Sequence, residues 1–189
     1  LTTELTARKK QYIHYREQLL SFEHGEVKHL PMGDERIGRF IRGGGLQKKD
    51  FVEAGVGCIH YGQVYTHYGT FAHTTKSYVS EEFAKKARMA KKGDVVIATT
   101  SENDEDVCKA VAWLGEDNIA VSSDACFYSH NLNPKFVSYF FQTEQFQNRI
   151  VDSIFSQTLG ESRDFWVRLP DNFQPDNDEK YAVIYLLDG

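Results

Sequence analysis

The sequence predicts an α+β fold, a mixed-sheet globule with one long N-terminal helix of coiled-coil type. Three features predict it. Residues 1–22 carry apolar side chains at seven-residue spacing. Residues 27–150 alternate short β-branched runs with turn residues. Two stretches with polar caps, opening at Ser80 and at Asn133, read as helices set among those runs.

The N-terminal helix rests on Leu5, Tyr12 and Leu19, with Leu1, Tyr15 and Phe22 on a second series that Arg8 interrupts. The two series lie side by side, as the a and d rows of a coiled coil do. The remaining positions are mostly Arg, Lys, Gln, Glu and Thr, a solvated face, and Gly25 is a suitable C-terminal stop. Three heptads are marginal alone in water. The helix therefore needs a partner: its own domain, a second copy, or a helix elsewhere.

Strands are predicted at residues 36–41, 56–60, 64–65, 95–100, 107–114, 119–121 and 125–128. Helices are predicted at about 80–90 and 134–149, the second carrying Val137, Phe140, Phe141 and Phe146. An apolar fraction of 41% with 13% aromatics in 189 residues indicates a folded domain with appendages. No apolar run approaches the roughly 20 residues of a membrane span, and the polar N-terminus has no secretory pattern, so a cytoplasmic protein is expected. Cys58, Cys108 and Cys126 are odd in number and widely spaced, which reads as small buried hydrophobes. His60, His67 and His73 lack metal-ligand spacing, so no metal is expected. Net charge is −5, but residues 151–189 hold eight acids and three bases. That leaves 19 of the 27 acids and 19 of the 22 bases in residues 1–150, a neutral body that can still present a basic face.

The stretch 42–68 is the most informative. Gly43, Gly44 and Gly45 free the backbone for a close approach, with Arg42, Lys48 and Lys49 beside them. An anion-cradling loop is one reading, a flexible exposed turn the other; the spacing is not that of a P-loop. Three tyrosines, two histidines and Gln63 follow within residues 60–68. Gln63 could make a two-point contact to adenine. Tyr61 and Tyr65 alternate toward a core, which leaves Gln63, His67 and Tyr68 as the better candidates for base contact.

Three separated motifs in order, residues 2–22, 42–68 and 96–103, resemble the specificity subunit of type I restriction-modification enzymes. The resemblance runs from about residue 1 to 150. It implies a conserved spacer helix (1–24) and a target-recognition domain (25–150) that reads double-stranded DNA without catalysis. Methylation and cleavage would belong to separate subunits, which would also bind S-adenosylmethionine and ATP; no cofactor is expected here. A homodimer through the N-terminal helix would restore the paired helices of a full subunit. Residue by residue, the expected DNA contacts are Arg42, Gly44, Gln47, Lys48, Lys49, His60, Gln63, Tyr65, Thr66, His67, Tyr68, Thr100 and Ser101. Asn133-Pro-Lys-Phe lacks the second proline of an adenine-methyltransferase motif, so this chain is not expected to transfer methyl groups.

Residues 151–189 form an atypical tail. Residues 159–170 and 181–189 resemble the opening of an esterase-type α/β-hydrolase, yet no Gly-x-Ser-x-Gly elbow occurs, so no ester hydrolysis is expected. The break predicts a fusion or disruption near 150–158, with the strand at 183–187 pairing with the domain's sheet or another chain. The alternative expectation is a relic that has lost DNA reading, or a homo-oligomeric interaction protein, produced by that fusion.

Overall fold

In a computed structural model, the structure describes residues 2–22, 32–100, 108–147, 152–156 and 161–165. The expected helix stop at Gly25, the candidate Ser101 and the strand at 183–187 lie outside them.

Helix α1 spans Thr2–Leu20. Among the described residues, twelve strands follow in chain order with four short α-helices and one 3₁₀ turn. One sheet has the order β1 (Gly38–Arg42), β10 (Ala125–His130), β7 (Val95–Ala98), β8 (Ala110–Trp113) and β4 (Phe71–Ala72). Its pairs are antiparallel except β4 with β8. The second sheet runs β2 (Phe51–Val52), β5 (Ser77–Val79), β3 (Val56–Ile59), β9 (Ile119–Val121) and β6 (Met89–Ala90), with β3 and β9 parallel. A separate hairpin joins β11 (Asp152–Ser156) to β12 (Glu161–Phe165). The fold is therefore α+β with mixed sheets and a long N-terminal helix.

The strands β7 and β8 are buried on both faces, which is why they read as unbroken apolar runs. Val95, Ile97, Ala110 and Ala112 point to one face, where α4 (Pro134–Phe140) adds Val137 and Phe141 in the next turn. Val96, Ala98, Val111 and Trp113 point to the other. There they meet Val64 of α2 (Tyr61–Thr66) and Ile59, Ile119 and Val121 of the second sheet. That second sheet is closed behind by Phe83 and Ala84 of α3 (Glu81–Ala84). Burying these side chains contributes about 1.5–3 kcal/mol for each large aliphatic.

Several elements differ from expectation. Residues 64–65 are helical: His60 caps α2, its Nδ1 accepting from Gly62 N, while Gln63 Oε1 accepts from His60 N. This reciprocal cap outweighs the β-propensity of Val64 and Tyr65. The helix at Ser80 stops after one turn because Met89 and Ala90 pair with β9. The helix at Asn133 starts as expected, Asn133 Oδ1 accepting from Phe136 N with Pro134 in the first turn. It breaks at Thr143, whose Oγ1 donates to Phe140 O and accepts from Phe146 N, opening α5 (Glu144–Gln147).

Among the described residues, helix α1 touches the body along one edge. Glu17 Oε2 accepts from Glu144 N at 3.0 Å, at the start of α5 where a carboxylate is favoured. Phe22 lies 6.5 Å from Phe136 between ring centres. Leu5 is 72% exposed and Leu19 73%, and Tyr12 and Tyr15 are exposed as well. The heptad face is thus largely uncovered. Beside it, Arg8, Tyr12, Leu19, Phe136 and Tyr139 help line a groove of about 530 Å³. Among the described residues, no helix is long and apolar enough to cross a membrane.

Candidate nucleic-acid interface

The 122–124 turn joins the two sheets, and Arg42, Gly43, Gly44 and Tyr61 fasten to it or to the residues that flank it. Gly43 N donates to Ala125 O (2.9 Å) and Gly44 N to Val121 O (2.8 Å). Tyr61 N donates to Ser122 Oγ (2.9 Å), Arg42 Nε to Ser123 O (3.1 Å) and Thr99 N to Asp124 O (3.2 Å). Arg88 Nη1 donates to Arg42 O at 2.9 Å, bringing a second guanidinium alongside.

These bonds correct the reading of the glycine loop. The partner of the close approach is the chain itself: a Cβ on Gly43 would sit 2.0 Å from Ser122 O. Gly44 has its N–H on Val121 and its carbonyl accepting from Leu46 N, and Gln47 N donates to Asp50 Oδ2. These amides are spent inside the protein, so Gly44 does not offer a phosphate cradle. The loop is a clasp that sets Gln47, Lys48 and Lys49 on an exposed 3₁₀ turn (Lys48–Asp50).

The tyrosine-rich segment divides. Gln63 is 8% exposed and both ends of its amide are engaged, Oε1 by His60 N and Nε2 by Ser77 Oγ at 2.6 Å. Tyr68 is buried, its hydroxyl accepting from Lys76 N. His60 is 7% exposed. Gln63, Tyr68 and His60 therefore do not present their polar groups to a base, contrary to expectation. They were chosen for polarity, and the same polarity here caps a short helix and ties it to the second sheet. Tyr65, expected to point inward, is half-buried, its hydroxyl donating to Thr100 O at 2.6 Å. Thr66, His67 and Thr100 are exposed. Lys109 Nζ donates to Tyr65 O at 3.3 Å.

Two groups of side chains result. Arg42, Arg88 and Tyr61 are bonded at or beside the turn, Lys48 lies near enough to His60 to act on it, and Tyr65, Thr66, His67, Thr100 and Lys109 lie at the far end of α2, about 9 Å along at 1.5 Å per residue. Arg88 and Lys109 lie in no recognisable motif and were missed; only the sheet connections bring them here. Cations, hydroxyls and phenol edges suit phosphate contact. Among the described residues no cluster of His, Cys, Asp or Glu could hold a metal ion.

Burial also sets the titration of this region. It lowers the pKa of His60 below the ordinary 6.5, with Lys48 adding and Asp124 opposing. Burial lowers His130 likewise, against Asp94 and the Leu132 N–H bond. It pushes all three cysteine thiols up to about 12, which leaves them unreactive. Both histidines take up a proton less readily in the fold than once unfolded. Stability is therefore full above pH about 6.5 and falls as pH drops below it. Melting temperature should be flat from pH 8 to 7 and decline toward pH 5; a rise on acidification would contradict this.

A second expected outcome follows from the capping amide. Gln63→Ala leaves His60 N without its acceptor and Ser77 Oγ without its donor, and should cost about 1–3 kcal/mol of stability in urea melts. A variant as stable as the parent would show that the amide is not what closes the cap.

No family model matches the chain. A stretch of 53 residues is 51% identical to the type I restriction enzyme EcoR124I/EcoR124II specificity subunit of Escherichia coli. It takes in 28% of this chain and 12% of that subunit. Among solved structures, the HsdS subunit from Thermoanaerobacter tengcongensis aligns over 86% of this chain and 41% of its own, with a TM-score of 0.48 and 10% identity. The matched parts span less than half the length of either relative. The chain is thus similar to a type I specificity subunit.

Proposed function

We propose that this chain carries a DNA target-recognition unit of a type I restriction-modification specificity subunit. The observation that carries this reading is the 51% identity over 53 residues to a specificity subunit. The cationic face around the 122–124 turn gives the reading a physical basis. That face docks on duplex DNA, with Arg42, Gln47, Lys48, Lys49, Tyr65, Thr66, His67 and Thr100 as the contacts drawn from the sequence. Arg88 and Lys109 join them. Residues 25–150 act as the recognition unit and 1–24 as the spacer helix. Methylation and restriction subunits supply catalysis.

Fluorescence anisotropy of a labelled duplex tests this. Binding should weaken linearly on a log–log plot as salt rises. No binding at about 50 mM salt, below the physiological range, would overturn the reading. Capture of a methylation subunit by the intact chain tests the assembly side.

The uncovered heptad face fits a second copy of the same helix, so the chain assembles as a homodimer. The expected result is a dimer at micromolar concentration in light scattering, and a monomer for Leu5→Glu/Leu19→Glu with an unchanged melting temperature. Both side chains are solvent-exposed within one copy, so the substitutions disturb only an interface. A monomeric parent chain would refute the dimer.

A further inference from the structure

An acid sits on the turn that Arg42 and Tyr61 hold. Asp124 follows Ser123, whose carbonyl accepts from Arg42, and its own carbonyl accepts from Thr99 N. It is close enough to the buried His60 to act on it electrostatically, as Lys48 does. Asp124 is half-buried as a residue, and its carboxylate forms no hydrogen bond or ion pair among the described residues. The turn that carries it is held by Tyr61, Arg42 and Thr99, and Val121 just before it by Gly44.

A carboxylate is costly at this position if the face holds only phosphates, since it repels each one. It becomes favourable if it meets a hydrogen-bond donor. In the major groove guanine shows two acceptors and thymine an acceptor with a methyl group; both repel an acid. Adenine shows an amino donor beside the N7 acceptor, which a carboxylate leaves unsatisfied. Cytosine shows its N4 amino group alone. An ionised carboxylate, which only accepts, matches cytosine best.

We propose that Asp124 is a specificity-determining residue that reads a cytosine amino group in the major groove, while the lysines and arginines around it hold the phosphates. The inference rests on the DNA-reading function above. Arg42 and Lys48 set the height of the turn against the backbone of the duplex, and the rigid turn then delivers the acid to one base pair.

Selection from a pool of random duplexes by the intact chain, Asp124→Asn and Asp124→Ala tests it. The parent should enrich a motif with cytosine fixed at one position, and exchange of that C·G pair for T·A should weaken it about 5- to 150-fold. Asp124→Ala should bind duplexes that lack the cytosine slightly tighter, having lost a repulsion, bind the cytosine duplex more weakly, and lose preference at that position alone. Asp124→Asn should move the preference toward adenine, which an amide can meet at both N6 and N7. Equal melting temperatures show that all three are folded. Motifs identical among the three, or a parent that binds duplexes without base preference, would overturn the role of Asp124 and leave duplex binding standing. A parent that binds no duplex overturns the function and this inference together.

Discussion

Replacing Gly43 with alanine should cost about 3–5 kcal/mol, a large part of the 5–15 kcal/mol that holds a domain of this size together. The added Cβ would lie 2.0 Å from Ser122 O and 2.6 Å from both Ser122 C and Val121 O. All three are backbone atoms, so no side-chain rotation relieves the clash. Either strand β1 or the 122–124 turn must withdraw. Withdrawal strains the bonds from Gly43 N to Ala125 O, from Gly44 N to Val121 O and from Tyr61 N to Ser122 Oγ. At about 1 kcal/mol each, with the desolvated groups left behind, the loss reaches the stated range. Gly45 is the control, since a Cβ there meets nothing within 4 Å and the change should stay within about 0.5 kcal/mol. Urea midpoints decide between them. If Gly43→Ala and Gly45→Ala unfold at the parent's midpoint alike, the clasp is not structural.

The contrast between those two glycines shows what a sequence carries and what it withholds. Local chemistry was legible. Asn133 followed by Pro134 marked a helix start, Ser80 marked another, and the run at 95–98 marked a strand buried on both faces. Each depends on neighbours within a few residues. The role of Gly43 depends on Ser122, which no local pattern names. Arg42 reaches its acceptor across 81 residues and Tyr61 across 61. Polarity misled for the same reason. Gln63 has the chemistry of a base reader, and only the arrival of Ser77 and the turn at His60 show that its amide is already occupied. Lys48 and Lys49, by contrast, were read correctly as exposed, because a lysine needs no distant partner to stay in water. The heptad face of α1 was equally legible, since its seven-residue spacing persists whether or not anything covers it.

The second large effect concerns those lysines. Changing Lys48 and Lys49 together to alanine should weaken duplex binding by about 2–3 kcal/mol, roughly 30- to 150-fold, at low salt and for every sequence alike. Each lysine that neutralises a phosphate releases about 0.9 counterion, so the slope of log affinity against log salt should flatten by about 1.8. The slope discriminates better than the affinity. A variant that is partly unfolded binds less at every salt concentration and keeps the parent's slope, whereas lost phosphate contacts change the slope itself. Neither lysine is buried, so stability should be unchanged. Lys91→Ala/Lys92→Ala is the matched control. Lys92 pairs with Glu116 in the turn that leads into β7, before the strand, whereas Thr100 follows its other end. Removing that pair of charges leaves the net charge of the protein the same as in the first variant. If the two double variants lose affinity and slope equally, the attraction is a property of total charge and no particular face binds DNA. A loss confined to Lys48 and Lys49 places the phosphate backbone over the 3₁₀ turn, where the glycine clasp has fixed it against the sheet connection that carries Asp124.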